Sequence, residues 1–127
     1  VGNPFFRTPI NHPTIVLNKQ LIMDVGGYPE NVGRFEDWGL ALRCIQAGLR
    51  IVNSADCVLA FRAPKKIMLR RGGLRYALEE LRALVQMFKL GLLPLIFVIL
   101  NMMLRFPVRV MPLPIRSLVY RKLIWRQ

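Results

Sequence analysis

Apolar and polar positions change period several times along the chain, and each change predicts an element. Residues 14–17 read Thr-Ile-Val-Leu, a short β-branched apolar run that predicts a buried strand. Asn18 then stands at an N-cap position, and Leu21, Ile22 and Val25 share one face of a helix predicted over 19–25. Gly26-Gly27 stops that helix. A turn-rich segment, Tyr28-Pro29-Glu30-Asn31-Val32-Gly33, leads to Glu36-Asp37, two acids that open a second helix reaching about Ala47. Trp38, Leu42 and Ile45 form its apolar face, and Gly48 is placed as a left-handed stop. Alternation over 49–52 predicts a half-buried strand, and 58–61 a further one. The proline-rich residues 1–13 predict an irregular or edge segment.

Beyond Pro64 the pattern changes. Residues 67–90 form a basic amphipathic helical stretch in which Leu74, Leu78, Leu81, Leu84, Val85 and Phe88 recur at helical spacing. Residues 92–104 follow, 13 positions without a charge, interrupted by Pro94 and Asn101. That falls short of the roughly 20 apolar residues a spanning helix needs, so an interfacial or re-entrant segment is predicted, with a transmembrane helix as the alternative. In 105–127, Arg105, Arg109, Arg116, Arg121, Lys122 and Arg126 are interleaved with apolar and aromatic residues such as Phe106, Tyr120 and Trp125. Anionic headgroups reward that mixture. The alternative is a helix pair packed on the first part of the chain or on another subunit, its Arg side chains solvated.

Charge sharpens this division. The whole chain of 127 residues carries a net charge of +12 with 54% apolar residues, a mixture that points to anionic membrane more than to free solution. Residues 1–64 hold six Lys/Arg against five acids, whereas 65–127 hold 13 against two. Two parts with different tasks are therefore predicted, a globular piece over 1–64 and a basic, helical, membrane-associated region over 65–127. Nucleic acid is the disfavoured partner, because the cations alternate with Leu, Ile, Val and Met rather than lining a polar surface. Cys44 and Cys57 have no metal-type spacing and read as small buried apolar groups; no metal-ligand set is predicted. No signal peptide is visible at the start.

One constellation looks chemical. Glu36-Asp37 at a helix start sits among free backbone amides and the positive end of the helix dipole, which keep a carboxylate ionised and ready to accept a proton. On local grounds alone, acids in a first turn are ordinary capping residues. Trp38 beside them either offers its aromatic face to a ligand or belongs to the core.

The order N-H-P-T-I-V-L-N-K, V-G-G-Y-P-E, E-D-W-x-L-x-x-R, A-G-L-R-I and L-A-F-R, spread from Asn3 to Arg62, resembles the C-terminal half of the catalytic domain of family-2 glycosyltransferases. The resemblance implies an α/β fold, a partial GT-A (Rossmann-like) half-domain, over 1–64. It further implies inverting transfer of a sugar from a nucleotide-sugar to a saccharide or polyprenyl-linked acceptor. Asp37 would be the general base and Glu36 would orient the loop or the acceptor. Asn11, His12 and Arg62, with Arg7 as a weaker candidate, would contact the diphosphate or the acceptor. Polysaccharide assembly at the cytoplasmic face of the membrane, peripheral or monotopic, would fit the basic tail.

The family's D-x-D motif is missing: Asp24, Asp37 and Asp56 are isolated from one another. A divalent cation, Mg or Mn, is expected to be held mainly by an N-terminal half that this chain lacks, so the chain by itself is expected to be inactive and to expose a sheet edge. The rival reading is a non-catalytic basic module that binds anionic membrane, with Glu36-Asp37 as a mere cap.

Overall fold

The computed structural model describes residues 3–60, 71–112 and 114–115. Among the described residues four helices carry the architecture: α1 (Lys19–Asp24), α2 (Glu36–Gln46), α3 (Leu74–Lys89) and α4 (Leu95–Val110). Short 3-10 turns stand at His12–Thr14 and Gly33–Phe35.

Local signals account for the two helices before the composition break. At α1, the Asn18 side chain accepts a hydrogen bond from the Leu21 amide at 3.3 Å, as an N-cap should. Gly26 and Gly27 then take φ of +83° and +64°, a backbone that resists helix continuation. Helix α2 ends in a Schellman-type closure, with the Leu49 amide bonded to the Cys44 carbonyl at 2.9 Å across a left-handed Gly48. Arg43 ties the two helices together by donating to the Gly26 and Gly27 carbonyls at 2.6 and 3.0 Å.

The strands predicted at 14–17, 49–52 and 58–61 are a correction: no strand forms among the described residues. Thr14 closes a 3-10 turn, and Val16, Val52 and Val58 are 95%, 68% and 73% exposed. A β-branched run has extended preference, but a strand exists only where a neighbour completes the hydrogen-bond ladder. None of these segments pairs as a strand among the described residues. They line an open groove of about 990 Å³, whose walls also include Leu40, Ala41 and Cys44 of α2. The α/β sheet expected from the pattern is thus not formed within the described residues.

After the break, α3 and α4 form an antiparallel hairpin. The Gly73 amide at the start of α3 bonds to the Arg109 carbonyl near the end of α4, at 2.8 Å. Gly91 and Pro94 make the connecting turn. Of the helix predicted over 67–90, α3 is the described part, opening at Leu74 after Gly73 with φ +92°; residues 61–70 lie outside the described ones. Residues 92–104 are divided between this turn and α4, and no helix among the described residues is long and apolar enough to cross a membrane.

One apolar core spans the composition break. Val32, Trp38 and Leu42 pack with Ala83, Leu84 and Met87 of α3 and with Leu92, Leu93 and Val98. Phe5 and Phe97 close one side, their ring centroids 4.6 Å apart. The hairpin therefore rests on α2. Its Arg105 and Arg109 lie largely inside the packing, while Arg116, Arg121, Lys122 and Arg126 of the predicted basic stretch lie outside the described residues.

Gly39, on α2, has a packing role that its place as the variable position of E-D-W-x-L hides. A Cβ there would sit 2.4 Å from Pro29 Cγ, so the absence of a side chain lets the buried Pro29 loop lie directly on the helix. Gly39→Ala gains about 1 kcal/mol of helix propensity but overpacks against a rigid ring, at a cost near 3 kcal/mol. A net loss of about 2 kcal/mol is expected, read as a lowered urea midpoint; an unchanged or raised midpoint would refute the close packing.

Candidate active site

The loop that leads to Glu36-Asp37 is wound by two left-handed residues, Asn31 with φ +61° and Gly33 with φ +54°. Asn tolerates that region better than most residues because its short amide hydrogen-bonds locally. The loop buries Val32 and presents both acids in the first turn of α2. Glu36 is exposed and Asp37 half-buried. Asp37 Oδ1 accepts the Trp38 amide at 2.8 Å, while Oδ2 receives no hydrogen bond from any described residue. One oxygen is thus held and the other left for a further partner.

Trp38 belongs to the core, the second of its two sequence readings. It is 3% exposed, and its Nε1 donates to the Pro4 carbonyl at 2.7 Å. The Arg105 guanidinium lies 4.9 Å from its ring centroid, and Phe35 lies beside it at 6.5 Å. A sugar cannot reach this ring. What Trp38 does is anchor the first turn of α2, and with it Asp37, to the segment around Pro4 and to α4.

The remaining candidates divide. His12 is exposed and stands edge-on to Tyr28, ring centroids 6.0 Å apart, so it touches the V-G-G-Y-P-E loop. Asn11 and Arg7 line the groove along the other flank of α2, together with residues 49–54. Glu36 and Asp37 do not line it. Arg62 lies outside the described residues. Among the described residues no group of three His, Cys, Asp or Glu side chains is placed to hold a metal ion. Asp24 is bonded to Gln20 and Asp56 to Ser54. Cys44 is buried, and burial pushes its thiol up from the usual value; Cys57, in contrast to expectation, is exposed because its segment has no covering strand.

A cluster that sequence reasoning missed stands behind this site. Glu80 of α3, 3% exposed, accepts from Arg105 at 2.7 Å and from Arg109 at 2.8 Å. Arg105 also donates to the Phe6 carbonyl, and Arg109 to the Arg71 carbonyl at 3.1 Å. Asn101 donates to the Phe5 and Phe97 carbonyls at 2.9 and 2.7 Å. Burial alone raises the Glu80 carboxyl, but Arg109 and Arg105 outweigh it and hold the group below the usual carboxylate value. The signal was present: Asn101, Arg105 and Arg109 recur at every fourth residue, one polar stripe on an apolar helix.

Comparison with known proteins gives a consistent picture. The chain is 33% identical over 120 residues to the Escherichia coli UDP-Gal:alpha-D-GlcNAc-diphosphoundecaprenol beta-1,3-galactosyltransferase, covering 94% of this chain and 43% of that protein. It is 28% identical over 115 residues to an uncharacterized glycosyltransferase of Haemophilus influenzae, 91% of this chain and 42% of the relative. It is also 27% identical over 118 residues to the amylovoran biosynthesis glycosyltransferase AmsE of Erwinia amylovora, again 91% of this chain and 43% of the relative. The similarity thus extends across nearly all of the chain, which spans less than half the length of these curated relatives. No protein-family model and no solved structure matches the chain.

Proposed function

We propose that this chain is the acceptor-side part of an inverting, nucleotide-sugar-dependent glycosyltransferase of family 2 with a GT-A catalytic domain. The observation that carries the reading is the similarity to three glycosyltransferases across more than nine-tenths of the chain. The position of Asp37 supports the chemistry. Its free oxygen takes the proton of an acceptor hydroxyl; the acceptor oxygen bonds to the anomeric carbon from the face opposite the leaving group. The bond from that carbon to the diphosphate oxygen breaks, and the nucleoside diphosphate departs with the electron pair. Glu36, exposed one residue earlier, orients the acceptor. His12 and Asn11, with Arg62, serve the diphosphate or acceptor side.

Mg or Mn is the expected counter-charge for the departing diphosphate. The acids described here do not form a set that fits it, so its ligands belong elsewhere in the protein. In the whole enzyme, the segments predicted as strands at 14–17, 49–52 and 58–61 join a sheet that the described residues do not form. The acceptor is a saccharide or a lipid-linked saccharide, since one relative is named for a diphosphoundecaprenol acceptor and another for amylovoran biosynthesis. The surplus of cations in residues 65–127 supports a position of the enzyme at the cytoplasmic face of an anionic membrane.

The test is sugar transfer by the protein at its full cellular length, with a panel of nucleotide sugars, Mg or Mn, and a polyprenyl-diphosphate saccharide acceptor. Product and nucleoside diphosphate should appear together, with the new linkage opposite in anomeric configuration to the donor. A product that retains the donor configuration would rule out inversion. No transfer from any donor would favour the non-catalytic basic module.

A further inference from the structure

Helix α4 is amphipathic in the reverse sense to a helix on a soluble surface. Its only strongly polar side chains, Asn101, Arg105 and Arg109, all turn inward: Asn101 is fully buried, and the two arginines close on Glu80. Every exposed position of the helix is apolar. Leu95, Ile96, Ile99, Met103, Leu104 and Val110 stand 45% to 70% exposed. A helix facing water carries the opposite arrangement, polar residues outward and apolar ones in the core.

Helix α3 extends the feature. Away from its buried Glu80, Leu84 and Met87 it exposes Leu74, Leu78, Val85 and Phe88. Along the adjoining stripe Arg75, Arg82 and Lys89 recur at heptad spacing, all exposed. The acids that share this helix are both engaged, Glu80 in the buried cluster and Glu79 with Arg34 and Arg75 at 3.4 Å.

We propose that the outward face of the α3–α4 hairpin is the seat of an anionic lipid bilayer. Helix α4 lies in the plane of the interface with Ile99 and Met103 among the acyl chains, and Arg75, Arg82 and Lys89 meet the headgroup phosphates. Three observations select this occupant. The exposed face of α4 is apolar along its whole length, as insertion into the acyl boundary requires. At 16 residues the helix is too short to cross the roughly 20-residue span of a bilayer, so it lies along the surface instead. The net charge of +12, concentrated in 65–127, is attracted by anionic lipid and opposes the close approach of a second copy through the same face. The inference rests on the membrane-face reading above and specifies which surface makes the contact.

The experiment is co-sedimentation of the full-length protein with vesicles of phosphatidylcholine and phosphatidylglycerol in equal parts, beside the double variant Ile99→Glu/Met103→Glu. Both side chains are exposed, so the variant keeps its circular dichroism and unfolding midpoint. Binding should fall by about tenfold or more, as expected when two apolar anchors become anionic. Undiminished vesicle binding by the folded variant would overturn the proposal. So would sedimentation equilibrium showing a wild-type dimer that the variant dissolves while vesicle binding persists. Sugar transfer to a detergent-dispersed acceptor separates the two readings: the double variant should transfer as wild type does, and absence of transfer by the wild type counts against the enzyme, not against the seat.

Discussion

Replacing Asp37 by Asn is expected to lower sugar transfer by the full-length protein by about 100-fold or more, the size of a lost general base. The substitution is nearly isosteric, and the amide oxygen can still accept the Trp38 amide that Asp37 Oδ1 now holds at 2.8 Å. The first turn of α2 should therefore stay in place, and the unfolding midpoint should move little. What disappears is the proton acceptor on the free oxygen. The loss should appear in kcat, with KM for the donor little changed, since Asp37 acts on the acceptor hydroxyl. Glu36→Gln, one residue earlier and exposed, should cost much less. Equal transfer by Asp37→Asn and wild type would remove Asp37 from the mechanism while leaving the glycosyltransferase reading intact.

The second large effect is on stability. Glu80→Ala should destabilise the protein by about 3–5 kcal/mol, because it leaves two arginines without a counter-charge in a largely buried place. The Arg105 and Arg109 side chains are only 27% and 13% exposed, so water cannot fully replace the carboxylate. A loss of that size is a large part of the stability of an ordinary domain. Glu79→Ala is the control. Its partners Arg34 and Arg75 are 58% and 94% exposed, and such surface pairs contribute at most about 1 kcal/mol. Similar urea midpoints for the two variants would mean that the Glu80 cluster is no more than a surface pair.

The same cluster sets a pH dependence. The folded-state carboxyl of Glu80 is held below its unfolded value, so its contribution is fully present above an unfolded pKa of about 4.3 and is lost as pH falls through the folded value. Wild-type stability should thus decline more steeply below about pH 4 than that of Glu80→Gln, which has no proton to gain there.

Much of the local structure was legible without coordinates. Asn18 as a cap, Gly26-Gly27 and Gly48 as stops, and Glu36-Asp37 as a helix start are short-range effects, decided by a few neighbouring dihedrals and hydrogen bonds. The order of motifs from Asn3 to Arg62 likewise pointed to glycosyltransferases, and the similarity to three of them agrees. The strands were legible only as a preference, since a ladder needs a partner that the described residues do not supply.

Tertiary structure alone decided the direction of each side chain around the site. Charge and apolar content separated residues 65–127 from the rest, yet Leu84, Met87 and Val98 complete the core that Trp38 and Leu42 begin. Trp38 turned inward because Pro4 offers a carbonyl to its indole and Arg105 covers its face. Arg105 and Arg109, cations in a basic stretch, turned inward because Glu80 lies one helix away and two charge-assisted contacts compensate their desolvation. With its polar stripe spent on the interior, α4 has only apolar side chains to show outside. A sequence determines which side chains share a helix face; which way that face points depends on partners distant in the chain, and folding is what brings them together.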